Sequence, residues 1–232
     1  MQKSNINACL VEVRNRLKST GSTVPHLRGA ANKGYSFSSL QFDEQIVLWD
    51  HIWKNEADWR LRLQAFFYCE KHAVKEKNIK EAWNILRSWQ DHVNDWPFCD
   101  GLSKIYTKHL EVLEKEVYKQ LLHWNKDKDL WKRRQSIVSL LYYSSTKKKQ
   151  LPFEKILPLI DRLLKDKEYY VQKGVGWALR ELHNVYPAKT YAYLKKNIRD
   201  ISAIAFSAAT EKLVRTRKDE LKKLRKDQRL RG

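Results

Sequence analysis

The sequence predicts an all-α fold built from repeated helix pairs, and three observations predict it. Apolar residues recur every three or four positions along most of the chain, the period of a helix with one buried face. Glycine and proline number only 7 and 5 among 232 residues, too few for the many turns of an all-β chain. Strand-like alternation of apolar and polar residues appears nowhere at useful length.

The elements follow in order. Leu10, Val13 and Leu17 open the series, followed by Ile46, Trp49 and Trp53, then Trp59, Leu63, Phe66 and Phe67. Ala82, Ile85, Trp89 and Val93 mark another helix, and Leu130, Ile137 and Leu141 a further one. Ile156, Leu159 and Leu163 come next, where Pro158 predicts a kink or a late start. Val171, Val175, Ala178 and Leu182 form the clearest stripe, and Ile201, Ala205, Ala208 and Ala209 the last. Short polar breaks such as STGSTVP, NKGYSFSS, NKDKD and SSTKKKQ separate them. The count is about eleven or twelve helices. Helix, short turn, helix is the rhythm of HEAT and armadillo arrays, whose units take roughly 40 residues, so the length accommodates about five to six antiparallel helix pairs. Residues 1–213 are expected to form one such α-solenoid domain. The basic segment 214–232, nearly free of apolar residues, is expected to be a frayed helical extension that either touches a polyanion or is simply solvated.

Composition narrows the function. Lys and Arg number 46 against 27 Asp and Glu, a net charge of +19, which points to a nucleic-acid partner ahead of a merely basic surface. Nine Trp and eleven Tyr supply core, with some left to stack on bases or sugars. Cys9, Cys69 and Cys99 make no CxxC pair, and the seven histidines no HExxH, so neither a metal site nor a disulfide framework is expected. The opening residues lack a signal peptide's apolar run and no segment is long enough to span a membrane, which leads to an expected cytoplasmic, nucleoid-associated location.

Three places break the amphipathic pattern. In YYVQKGVGWALREL, Trp177 lies off the apolar stripe, on a row with Tyr170, Lys173, Gly174 and Arg180. Two helical glycines cost about 1 kcal/mol each relative to alanine. They either clear an approach for a nucleic-acid backbone or admit a neighbouring helix. In DLWKRRQSIVSLLYY, Arg134 falls on the inner stripe, four after Leu130 and three before Ile137. An inward arginine either pairs with a buried acid or reaches a phosphate with its fork of donors. In NDWPFCDG, Pro97 suits the first position of a helix and Asp95 its cap. Trp96 and Asp100 then stand one turn apart, a flat apolar wall beside a fixed negative charge. That charge suits a cationic sugar or base, or else it pairs with Lys104.

DWPFCD, WKRRQSIVSLLYY and YYVQKGVGWALREL resemble, in order and spacing, the motifs of the DNA alkylation repair family, the AlkD-like alkylpurine DNA glycosylases built of HEAT-like repeats. EQIVLWDHIWKNEADWRLR resembles the family's N-terminal helices, and the likeness spans roughly residues 20–213. It implies a curved all-α shell whose basic concave face cradles duplex DNA. It implies excision of N3- and N7-alkylated purines without swinging the base into a deep pocket. The family's two Trp and one Asp that touch the damaged nucleotide's sugar match Trp96, Trp177 and Asp100. Its phosphate-holding arginines match Arg134 and Arg180. Many members carry Asp where this chain has Pro97, which implies a different helix entry with the catalytic Asp kept.

The expected chemistry follows. An alkylated purine leaves as a neutral base, so the barrier lies in the oxocarbenium-like sugar. A fixed Asp100 stabilises that charge and orients the attacking water, while Trp96 and Trp177 hold the deoxyribose. Tyr170, Lys173, Arg134 and Arg180 are expected to contact DNA. No metal or cofactor is needed. The expected partner is double-stranded DNA containing alkylated purines, bound by a monomer. The rival reading is a non-catalytic HEAT-like module for branched or bent DNA.

Overall fold

A computed structural model describes residues 3–142 and 144–230, with the first two residues, Tyr143 and the last two residues outside that set. Every regular element among the described residues is helical, in thirteen α-helices, slightly more than the periodicity predicts. The helices divide into two compact units, residues 1–93 and 94–232. No helix among the described residues is long and apolar enough to cross a membrane.

The first unit holds α1 (Lys3–Lys18), α2 (Val24–Asn32), α3 (Phe42–Asn55), α4 (Trp59–His72) and α5 (Ile79–Leu86). Its core forms where the inward stripes of α1, α3 and α4 meet: Val13, Leu17, Ile46, Ile52, Leu61 and Ala65 are all buried. Four tryptophans are spent there, Trp49, Trp53, Trp83 and Trp89. Trp53 and Trp89 stack with centroids 4.4 Å apart, and both indole N–H groups are satisfied, by the Trp89 carbonyl and by Asp50. Buried indoles need such partners.

The second unit holds α6 (Trp96–Val112), α7 (Glu114–Trp124), α8 (Leu130–Leu141), α9 (Phe153–Arg162), α10 (Tyr169–Val185), α11 (Pro187–Lys196), α12 (Ala203–Ala209) and α13 (Arg215–Leu230). Helices α6, α8, α10 and α12 pack side by side in one row, with α7, α9 and α11 against their backs. The row is close because its inward residues are short or neatly apolar. Val171, Val175, Ala178 and Leu182 of α10 are wholly buried, as are Ile137, Leu140 and Leu141 of α8. Pro158 sits inside α9 rather than at its start.

One expectation changes here. The tail is docked: α13 lays Leu221, fully buried, against the unit. Tyr191 and Lys195 of α11 bond Glu220 at 2.7 Å each, and the Arg225 guanidinium caps the Phe206 ring at 4.9 Å. One leucine and a few charged contacts replace the apolar stripe the sequence lacks. Of the two readings open for the glycines of α10, the structure shows the one in which neighbouring helices fill the space. A Cβ at Gly176 would lie 2.5 Å from the Ala205 carbonyl oxygen and 2.8 Å from the Ala208 Cβ, both at α12. A Cβ at Gly174 would lie 3.3 Å from two atoms of Arg134.

Candidate active site

The site grows from the N-terminal turn of α6. Asp95 caps it, its Oδ1 accepting from the Phe98 amide at 3.0 Å. The helix therefore starts at Trp96 and places Pro97 second, where the missing N–H costs nothing. Phe98, Cys99 and Leu102 turn inward. Trp96 is left 52% exposed. One turn after it, on the same side, comes Asp100.

The partner of Asp100 is Arg134 of α8. Arg134 Nε donates to Oδ1 at 3.0 Å, and Nη2 donates to Oδ1 at 2.8 Å and Oδ2 at 2.9 Å. Its Nη1 donates to the Tyr170 carbonyl of α10 at 2.7 Å. Of the two readings open for Arg134, the structure shows the paired one. The guanidinium, expected to hold a phosphate, is instead committed to a carboxylate and a main-chain oxygen. Its side chain is 7% exposed and that of Asp100 28%. A charge so buried requires such pairing, and charge-assisted forks are the strong hydrogen bonds. The arginine thus runs from α6 across α8 to α10, and Gly174 is the gap it lies in. Burial pushes the Asp100 carboxyl above its ordinary value, while the charge and hydrogen bonds of Arg134 pull against it.

Aromatic rings surround the pair. Trp131, one turn before Arg134, meets Tyr170 with centroids 5.0 Å apart. Tyr169 stands edge-on to Tyr170 at 5.2 Å, and both tyrosines are exposed. Trp177, half-buried, lies one turn beyond Gly174 and packs on Tyr142 at 5.8 Å. Lys173 is exposed, its Nζ 5.8 Å from the Tyr169 ring centroid, within cation–π range.

The structure therefore brings Asp100, Arg134 and Tyr170 into direct contact, with Trp96 one turn from Asp100 on α6 and Trp177 two turns from Tyr170 on α10. Arg180 is placed apart from this group: its Nη1 donates to Glu211 at 2.6 Å. Sequence reasoning missed Trp131, Tyr142 and Tyr169. Trp131 had a signal, an indole heading the basic run KRR, off the apolar stripe. The Asp100–Arg134 bond joins residues 34 apart in sequence, which helical periodicity cannot reveal. Among the described residues no three His, Cys, Asp or Glu side chains gather as a metal site would require.

A row of neighbouring helices that fixes one carboxylate among exposed aromatics, on a strongly basic chain, defines an all-helical protein of repeated helix pairs with one candidate site. The family model described as "DNA alkylation repair enzyme" matches residues 5–213, and the chain belongs to that family. Its role is accordingly in the repair of alkylated DNA. Two solved structures share the fold. AlkD2 from Streptococcus mutans superposes with a TM-score of 0.59 at 18% identity, covering 95% of this chain and 97% of that one. The protein smu.31 from Streptococcus mutans UA159 gives 0.55 at 19% identity, with 96% of each chain covered. A comparison with curated proteins finds no match. At these identities the likeness speaks to fold, which is all-α and HEAT-like.

Proposed function

We propose that the protein is a DNA glycosylase that excises positively charged N3- and N7-alkylated purines from duplex DNA. The observation that carries the reading is Asp100: a part-exposed carboxylate, locked in one orientation by Arg134, with exposed Trp96 one turn before it on α6. Preorganised charge of this kind stabilises a transition state without reorganising when charge develops.

In this reading the alkylated purine is already cationic and leaves as a neutral base, so no general acid is required. The deoxyribose becomes oxocarbenium-like, and Asp100 faces it. A unit charge about 4 Å from another is worth about 4 kcal/mol at an effective dielectric constant near 20, close to a thousandfold in rate. Arg134 opposes part of that from behind, but its fork holds both carboxylate oxygens and so fixes where the negative end points. The same carboxylate orients the water that attacks C1′. Trp96 and Trp177 pack on the sugar and exclude solvent. Tyr170, Trp131 and Lys173 bear on the backbone beside it. The +19 charge supplies affinity through counterion release, with little dependence on sequence.

The Arg134 fork also favours a second reading, in which the ion pair is purely structural and the protein binds damaged or distorted DNA without cutting. Incubation of wild-type protein with duplex DNA bearing one 7-methylguanine separates them. Release of free 7-methylguanine supports the glycosylase; tight binding with no release supports the binding module and ends the glycosylase reading.

A further inference from the structure

The segment after α8 crosses the far end of the same face. Tyr142 packs on Trp177. Ser144 donates through its amide and hydroxyl to Glu181 at 3.1 and 2.8 Å, one turn beyond Trp177 on α10. The segment then reaches α6: the Lys148 amide bonds Glu111 at 3.1 Å, and the Lys108 ammonium bonds the Thr146 carbonyl at 3.3 Å. Between these ties Lys147 turns in, and its Nζ lies 2.9 Å from the Thr107 hydroxyl. Thr107 is seven residues after Asp100, two turns along the same side of α6, roughly 10 Å. The amine is thereby held on the Asp100 side of α6, two turns from the carboxylate.

We propose that Lys147 is a second nucleophile of this face, whose amine attacks C1′ of the abasic deoxyribose left by base removal and cleaves the strand by β-elimination. The inference rests on the glycosylase reading for its substrate, because removal of a purine leaves a sugar in equilibrium with a free aldehyde.

The surroundings of Lys147 suit this. It is half-buried, and among the described residues its ammonium forms no ion pair. Its bonding partner is a neutral hydroxyl, which accepts from an ammonium and donates to a free amine equally well. Glu111, the acid that acts on it, already bonds the Lys148 amide and faces Lys108. Burial pushes its ammonium down to about 8, with Lys108 adding to the effect and Glu111 opposing it. A desolvated lysine beside a second cation is how proteins keep an amine partly neutral and nucleophilic.

The atoms balance without a cofactor. The Lys147 amine adds to the ring-opened aldehyde, forming the C–N bond, and water leaves with the aldehyde oxygen. Loss of a C2′ proton to water then expels the 3′ phosphate as the C3′–O bond breaks. Water hydrolyses the unsaturated imine and returns the amine. The four-carbon arm of the lysine and the swing of an opened sugar close the gap along α6.

The test uses full-length protein and a duplex holding one abasic site made beforehand by removing uracil, so that no alkylated base is needed. Sodium borohydride reduces the imine and leaves a covalent protein–DNA adduct, resolved on a denaturing gel. The wild-type protein is expected to give an adduct, increasing as pH rises through 8, and a nicked strand when borohydride is left out. Lys149→Ala, at an exposed lysine of the same segment that pairs with Glu114, should keep the adduct, and Lys147→Ala, checked for folding by its thermal transition, should lose it. No adduct with wild-type protein, or an adduct that survives Lys147→Ala, overturns the assignment. A protein that gives the adduct yet releases no 7-methylguanine would sink the glycosylase reading alone.

Discussion

Replacing Arg134 with methionine removes the charge and hydrogen bonds while keeping a side chain able to fill part of the gap against Gly174. In the native protein two effects oppose each other at Asp100: burial raises its pKa, and Arg134 lowers it through charge and three contacts of 2.8 to 3.0 Å. Only burial remains in the variant. An opposite charge at this range shifts a carboxylate by about 1–3 units, and the 28% exposure of Asp100 favours the low end. The acid limb of the base-release profile should therefore move up by about 1–2 units, equivalent to about 1.4–2.7 kcal/mol. The sign also sets stability. The folded Asp100 then binds its proton more tightly than the unfolded one, so the stability it contributes is present at low pH and is lost as pH rises through its folded pKa. The assay is single-turnover release of 7-methylguanine from pH 5 to 9, with DNA affinity measured in parallel. Activity should recover toward the alkaline end. An acid limb that stays in place, with the variant folded and bound to DNA, would refute the claim that Arg134 governs the ionisation of Asp100.

Gly176→Ala should destabilise the protein by about 1–3 kcal/mol, since the new methyl meets the α12 backbone at 2.5 Å; an unchanged thermal midpoint would contradict that packing. His109 is fully buried, its Nδ1–H donates to the Ile105 carbonyl at 3.0 Å, and burial pushes its pKa down to about 4. The unfolded ring titrates near 6.5, so stability is lost as pH falls from about 6.5 to about 4, by about 3 kcal/mol at most. Denaturant titrations of wild-type and His109→Gln should converge in that window; parallel curves would refute it. DNA affinity should fall steeply and linearly on a logarithmic salt axis, and a flat response would favour a protein partner.

The fold was legible because the helical period repeats wherever one face is buried. The α10 stripe of Val171, Val175, Ala178 and Leu182 is read from spacing alone and is fully buried. The tail shows the limit of that signal: a single buried Leu221 docks α13, and one residue makes no period. The site was half legible. Trp96, Asp100 and Trp177 stood out as departures from amphipathic order. What Arg134 does with its donors depends on a carboxylate two helices back, and Arg180 likewise turns to Glu211, 31 residues on. Side-chain pairing at such distances is set by how helices pack, which local pattern does not encode. The glycines stayed ambiguous for the same reason: space beside a helix looks alike in sequence whether an arginine, a helix or DNA fills it.

The most direct measurement compares wild-type protein with Asp100→Asn, an isosteric change that keeps Arg134 a partner and removes the negative charge. Single-turnover release of 7-methylguanine, at protein concentrations that saturate the duplex in both cases, should fall by at least about a hundredfold while the dissociation constant for DNA stays within about threefold. Equal release by the two proteins would show that no carboxylate at position 100 steadies the departing sugar.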